Sequence, residues 1–193
     1  MFKRRQSPTC ALREPAWTPI GERRLPGVSV AGQAWLSDRG SLTRAVIGSC
    51  DKRFRVELIR QEHASALPGE AALLDSGPAQ STLVREVRLY CGRRAWVFAR
   101  TLLPLQRLRG PVLALTRLGQ RPLGEVLFSD PTTRRLCVEV ARITPRHRLF
   151  HRATAHLRQP PSAISGRRTL FNYRGERILV NELFLPDVRE LRQ

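Results

Sequence analysis

Two hairpins constrain this chain more than any other feature. Leu83 to Cys91 alternates in period two. Its odd positions, Leu83, Arg85, Val87, Leu89 and Cys91, form an apolar row that Arg85 interrupts. Its even positions are Val84, Glu86, Arg88 and Tyr90. Gly92-Arg93-Arg94 reads as a turn, and Ala95 to Leu103 as the return strand. A second hairpin closes the chain: Thr169 to Tyr173, a turn at Arg174-Gly175, then Ile178 to Leu185, ended by Pro186. Tight turns between such strands require antiparallel pairing. Further strands are expected at Phe54 to Ile59 and Leu136 to Ile143. Ser41 is placed to cap a helix from Leu42 to Ile47. Val112 to Leu118 reads as helix ended by Gly119, and Pro122 to Phe128 as helix with proline at its first position. Residues 61–80 read as a loop with one helical turn near Glu70. Residues 144–166 read as a basic excursion, partly helical from Arg146 to Leu157. The class that follows is α+β, a mainly antiparallel sheet with helices packed on it.

Charged residues inside apolar rows are the candidate functional groups. Glu182 shares a strand face with Ile178, Val180 and Phe184. A carboxylate there is costly unless something pairs with it. Either that face is half solvated, or Glu182 is a buried acid kept protonated as a proton donor. Arg85 allows two readings as well, a ligand-binding group or a side chain snorkelling from a sheet edge. Arg100, on the row of Trp96, Phe98 and Leu102, reads as snorkelling. The Leu123 amide would open the helix after Pro122, with no intrahelical partner and next to the positive helix end, which suits an anion.

The remaining composition narrows the classes. The chain of 193 residues suits one domain, expected over 34–193, behind a loosely ordered basic lead-in at 1–33 that is rich in Pro, Gly and Arg. No apolar run approaches the ~20 residues of a membrane helix. No apolar region follows the basic start Met1-Phe2-Lys3-Arg4-Arg5, so no signal peptide is expected. Cys10, Cys50, Cys91 and Cys137 lie far apart without a CxxC pair, and read as reduced thiols of a cytoplasmic protein. The net charge of +18 comes almost wholly from arginine, since Lys3 and Lys52 are the only lysines. Such charge suits nucleic acid or anionic substrates. The arginines are spread along the chain, however, and no nucleic-acid-binding motif accompanies them. His147 and His151 would share a helix face as a metal pair, but no third ligand has suitable spacing and the neighbouring arginines disfavour a cation. There is no GxGxxG, P-loop or GxSxG motif.

Four segments in order resemble the bacterial chorismate pyruvate-lyase (chorismate lyase) family. They are Leu83-Val-Arg-Glu-Val, Ala99-Arg-Thr-Leu-Leu-Pro, Leu118-Gly-Gln-Arg-Pro-Leu-Gly-Glu-Val-Leu-Phe and Asn181-Glu-Leu-Phe-Leu-Pro. Arg167-Arg168-Thr169 is similar to the family's Arg-Arg-Ser. The resemblance spans roughly residues 35–187 and implies flaps over a buried ligand site. It implies a cofactor-independent carbon–oxygen lyase that eliminates pyruvate from chorismate to give 4-hydroxybenzoate, the first committed step of ubiquinone biosynthesis. The implied setting is a cytoplasmic monomer with a small-molecule substrate, no nucleic-acid partner and no membrane insertion. Carried over, the ligand-binding arginine falls on Arg85 and the acid on Glu182. The backbone donors fall on Leu123 and on Cys50, where the family can have methionine. The family's tryptophan before the Arg-Arg pair is missing, and Ile164-Ser165-Gly166 stands there instead. Two alternatives come from other classes. One is a non-catalytic effector-sensing domain of the related transcription regulators, although 1–33 is too short and too rich in proline for their helix-turn-helix. The other is a basic nucleic-acid-binding protein.

Overall fold

The expected alternation is realised as one seven-stranded antiparallel sheet in a computed structural model, which describes residues 12–21, 26, 28, 30–77 and 80–188. Along the chain the elements are β1 (Thr18–Pro19), α1 (Val30–Ser37), α2 (Leu42–Ser49), β2 (Phe54–Ser65), α3 (Pro68–Leu74), β3 (Ser81–Cys91) and β4 (Arg94–Pro104). There follow α4 (Gly110–Leu113), α5 (Leu123–Ser129), β5 (Arg134–Ile143), α6 (Arg148–Thr154), β6 (Ile164–Tyr173) and β7 (Glu176–Phe184). The strand order is β1-β5-β6-β7-β4-β3-β2.

Both hairpins form where the sequence places them. Gly92 turns β3 into β4 with φ +59°, and Arg174 and Gly175 turn β6 into β7 with φ 52° and 87°. The two hairpins join through β4 and β7, which sets Ala99 opposite Glu182 and Thr101 opposite Val180. Both faces of the sheet are covered. On the front, Trp35, Leu36, Leu42 and Val46 of α1 and α2 pack on Val87, Leu89 and Phe184. Beside them Val112, Leu115, Leu123 and Leu127 cover Leu103, Phe171 and Val180. On the back, Leu74 of α3 packs on Val84, Leu102 and Leu179, and Leu149 and Phe150 of α6 on Phe98, Ile143 and Leu183.

Several expectations are corrected. β2 runs on to Ser65, so part of the expected loop at 61–80 is strand; its polar residues suit the outer edge of the sheet. The helix expected over Val112 to Leu118 is α4 followed by a 3-10 turn at Ala114–Arg117, with Gly119 at φ 55° beyond it. In the lead-in, Thr18 and Pro19 pair with Val140 and Glu139, and the Arg13 N–H donates to the Arg146 carbonyl at 2.9 Å. That part is tied to the sheet edge, and the rest of the 1–33 expectation lies largely outside the described residues. Ile164 to Gly166 belong to β6 and not to the excursion. A Cβ on Gly166 would lie 2.7 Å from Ile143 Cδ1, so the chain fills this place from β5. Cys50 and Cys91 form a disulfide, not two reduced thiols. It ties the end of α2 to the end of β3.

Arg100 does not snorkel. It is 5 % exposed, in the strand between β3 and β7. Nε and Nη2 donate to the two Glu70 oxygens at 3.0 Å each, and Nη1 donates to Glu86 Oε1 at 3.0 Å. Arg60 Nε donates to Glu86 Oε2 at 2.7 Å, and Asn181 Nδ2 to Glu70 Oε1 at 3.0 Å. Glu70 also accepts the Leu67 amide at the start of α3. The cluster therefore matches charge to charge and binds a helix to the back of the sheet. Removing one member leaves a buried charge without its partner. Arg100→Ala is expected to lower the unfolding free energy by about 3–5 kcal/mol. Arg88→Ala, at a partly exposed pair with Glu57, should cost about 1 kcal/mol or less. Urea denaturation of both variants checks this, and equal costs would contradict it.

Candidate active site

The front face holds a cavity of about 50 Å³ between the sheet, α2 and α5. Arg85, Thr101, Val180 and Glu182 reach it from the strands, Thr43 from α2 and Leu123 from α5. The two helices close over it at Gly124. A Cβ there would lie 2.9 Å from Thr43 Oγ1 and 3.1 Å from Ser41 Oγ, so glycine allows the contact. Ser41 also caps α2, its Oγ accepting the Arg44 N–H.

Arg85 is 2 % exposed, and burial alone pushes its pKa down to about 10. Nη2 donates to the carbonyls of Gly119 at 2.9 Å and Arg121 at 3.0 Å, in the turn that leads into α5. Nε is buried without a partner. Among the described residues no carboxylate pairs with this guanidinium. It is unlike Arg100 in that respect, and a buried cation lacking a counter-ion is suited to an anionic ligand.

Glu182 stands elsewhere in the same cavity. The register runs Glu182, Ala99, Val87 across β7, β4 and β3, and Val180, Thr101, Arg85 in the next row on that face. Two strands across and two residues along separate the Cα atoms of Arg85 and Glu182 by about 12 Å. The expectation of a lone carboxyl is corrected. Arg167 faces Glu182 across the β6–β7 ladder, and its Nε donates to Glu182 Oε2 at 2.6 Å. Arg167 is itself 1 % exposed, and its Nη1 donates to the carbonyls of Trp35 and Asp38 at 3.2 and 2.7 Å. Glu182 thus has the cation that a charge in this row needs, and its orientation is fixed by a side chain that α1 and its following loop hold in place.

Leu123 is the first residue of α5, after Pro122, and lines the cavity. Cys50 does not line it. Its amide ends α2 by donating to the Ile47 carbonyl at 3.3 Å, and its sulfur is in the disulfide. Arg85, Glu182 and Leu123 are therefore brought together and Cys50 is held apart. Sequence reasoning missed Arg167, Thr101 and Thr43. Arg167 stood in the Arg-Arg motif without a role, and Thr101 carried a signal only as the neighbour of Arg85 across the ladder. His147 and His151 do not form a helix-face pair, because His147 precedes α6 as its cap residue. His147 Nδ1 accepts the Thr144 N–H at 2.9 Å, and His151 Nε2 lies 2.7 Å from the Pro145 carbonyl. Among the described residues no group of three or more His, Cys, Asp or Glu could hold a metal ion, and no helix is long and apolar enough to cross a membrane.

Residues 12–191 match the family described as chorismate lyase. The chain belongs to the chorismate lyase family. A relative from Nitrosospira multiformis named "Probable chorismate pyruvate-lyase" is 38% identical over 164 residues, which cover 85% of this chain and 91% of that protein. One of the same name from Methylococcus capsulatus is 42% identical over 157 residues, 81% of this chain and 95% of that one. The fold is similar to that of the effector domain of PhnF from Mycobacterium smegmatis, with a TM-score of 0.56 at 18% identity over 77% of this chain and 90% of that one.

A guanidinium and a carboxylate set well apart across an apolar cavity can orient a flat anionic ring and move a proton at its far end. Arg85→Ala is expected to weaken binding of benzoate, as a simple aromatic carboxylate probe, ~30-fold or more, the effect of removing one partner of a buried charge pair. Arg88→Ala, on the other face, should leave it within about twofold. Calorimetric titration checks both, and equal small effects would remove Arg85 from the site. A carboxylate binds the cationic guanidinium, whose pKa is lowered. Benzoate affinity should therefore stay level through neutral pH and fall as pH rises through about 10.

Proposed function

We propose that the protein is a chorismate pyruvate-lyase, which eliminates pyruvate from chorismate to leave 4-hydroxybenzoate, the aromatic precursor of ubiquinone. The observation that carries this reading is the pairing of opposites in one cavity. Among the described residues Arg85 is a cation without a paired acid, and across the cavity Glu182 is an acid held by Arg167. Family membership and the names of the relatives support the same reaction.

Chorismate is a ring carboxylate bearing an enolpyruvyl ether. The ring carboxylate takes the free edge of Arg85, with the Leu123 amide beside it. That grip directs the ether toward Glu182. For the ring to become aromatic, the proton on the carbinol carbon must leave and the neighbouring C–O bond must break. Glu182 acts here as the carboxylate that accepts the Arg167 hydrogen bond. It takes the ring proton as the ether bond breaks, and the bonding pair stays on the ether oxygen. It then returns that proton to the methylene carbon of the enolpyruvate, which becomes pyruvate. Atoms and charge balance, since chorismate equals 4-hydroxybenzoate plus pyruvate, and neither redox partner nor cofactor is required. Arg167 aims the carboxylate throughout, and the apolar walls keep water from competing for the proton.

Purified protein given chorismate is expected to release 4-hydroxybenzoate and pyruvate in equal amounts. Binding without release would favour an effector-sensing role, which the likeness to the PhnF effector domain makes the next reading to test. Glu182→Gln still accepts the Arg167 hydrogen bond but cannot carry a proton. It should keep product affinity and lower the single-turnover rate by ~10²–10⁴-fold. Single-turnover measurement matters here, because slow product release would mask a chemical defect. A wild-type rate in this variant would leave Glu182 as a binding residue only.

A further inference from the structure

The lyase reading, on which this inference rests, leaves one charge unmatched. Chorismate has two carboxylates, one on the ring and one on the enolpyruvyl group, and Arg85 can take one. At the Glu182 end, Arg167 is already committed to Glu182. A further guanidinium near that end is Arg135, at the start of β5, which interacts electrostatically with both Arg167 and Glu182. It sits opposite Phe171, next to the irregularity between Arg135 and Cys137 where the β5–β6 register shifts. Such a shift re-aims a side chain. The centre of its guanidinium lies 5.0 Å from the Phe128 ring and 5.6 Å from the Phe171 ring, and both rings line the cavity. On its other side Arg135 borders an outer cleft of about 460 Å³ together with Asp38 and Arg39. It therefore stands behind these two rings, between that cavity and the outer cleft.

Its bonding resembles that of Arg85. The two terminal nitrogens donate to backbone carbonyls, Nη1 to Arg39 and Nη2 to Gly40 at 2.7 Å. Nε is buried without a partner. Among the described residues no carboxylate hydrogen-bonds to it. The charges that face it are mixed, with Arg167 and Arg39 opposing and Glu182 and Asp38 favouring its charge. Arg85 hangs from the turn that leads into α5, and Arg135 from the turn that leads into α2. Two guanidinium groups of this kind thus flank one cavity, each with an Nε buried without a partner and, among the described residues, no hydrogen-bonded carboxylate.

We propose that Arg135 receives the enolpyruvyl carboxylate of the substrate, so that two arginines hydrogen-bonded only to backbone carbonyls read the two carboxylates of a dianion. The product 4-hydroxybenzoate lacks the second carboxylate and gains nothing from Arg135. The residue therefore favours substrate over product at the same site, and its place beside the outer cleft gives the released pyruvate anion a way out.

The test compares two affinities in the Glu182→Gln background, where bound chorismate is expected to be converted ~10²–10⁴-fold more slowly. Calorimetric dissociation constants are measured for chorismate and for 4-hydroxybenzoate, with and without Arg135→Gln. The ratio of the chorismate constant to the 4-hydroxybenzoate constant is expected to rise at least ~10-fold, with the 4-hydroxybenzoate value within about twofold of its parent. If both affinities fall by the same factor, Arg135 only holds the helices in place and the proposal is overturned. It is also overturned if neither affinity changes. Arg135→Lys serves as the second variant should the glutamine form fail to fold. It keeps a charge but loses the planar fork, and should raise the ratio by a smaller factor; no rise overturns the proposal as well. Failure of the lyase reading shows separately, as wild-type protein that releases no pyruvate from chorismate.

Discussion

Everything functional in this fold depends on the ladder between β4 and β7. The two hairpins come from distant parts of the chain and share only that edge. Its register puts Glu182 beside Ala99 and Val180 beside Thr101, and the β3–β4 register then carries those rows to Val87 and Arg85. A slip of one residue would turn Glu182 to the back of the sheet. A slip of two would keep the face and move Glu182 by about 7 Å relative to Arg85, which is most of the length of a benzoate-sized ligand. The close fit of both faces forbids either slip. Phe184 must meet Trp35 on the front, and Leu179 and Leu183 must meet α3 and α6 on the back.

The same sheet uses buried charge in two opposite ways. On the back, Arg60, Arg100, Glu70, Glu86 and Asn181 form a network in which the guanidinium groups meet carboxylate oxygens. Such a network fixes α3, and its guanidinium groups are met by carboxylates of the protein itself. On the front, Arg85 spends one nitrogen on backbone carbonyls and keeps Nε unpartnered. Nothing in the strand pattern separates these cases, because Arg85 and Arg100 each interrupt an apolar row. What separates them is the partner, and the partners of Arg100 come from α3 and β3, which only the assembled sheet places together.

Legibility in the sequence follows the range of the interaction. Turns and caps are local, so the hairpins, the Ser41 cap and the Pro122 start of α5 are readable from neighbouring residues. The place of Leu123 at the start of α5 is readable for the same reason. Arg167 is not found as the partner of Glu182, because that pair needs the β6–β7 register. The Cys50–Cys91 disulfide escapes because the two cysteines are 41 residues apart in the chain, and they come together only when β2 pairs with β3. The docking of Thr18 and Pro19 on β5 escapes too, since a two-residue strand has no period to read.

The size of the cavity sets the last constraint. At about 50 Å³ it is far below the ~300 Å³ at which small-molecule sites usually begin. A ring ligand needs more room than α2 and α5, which meet at Gly124, leave in this structure. The groups that would have to let go are specific. Arg85 holds the carbonyls of Gly119 and Arg121 below α5, and Arg135 and Arg167 hold carbonyls from Trp35 to Gly40 before α2. Arg85 and Glu182, the groups that would grip and convert the ligand, are thus bonded to the segments that admit it, directly or through Arg167. A carboxylate arriving at Arg85 competes for the same guanidinium that the α5 turn uses as its anchor. Binding and opening are then two demands on one set of hydrogen bonds, and the ease with which product leaves depends on how readily those carbonyls recover their donors.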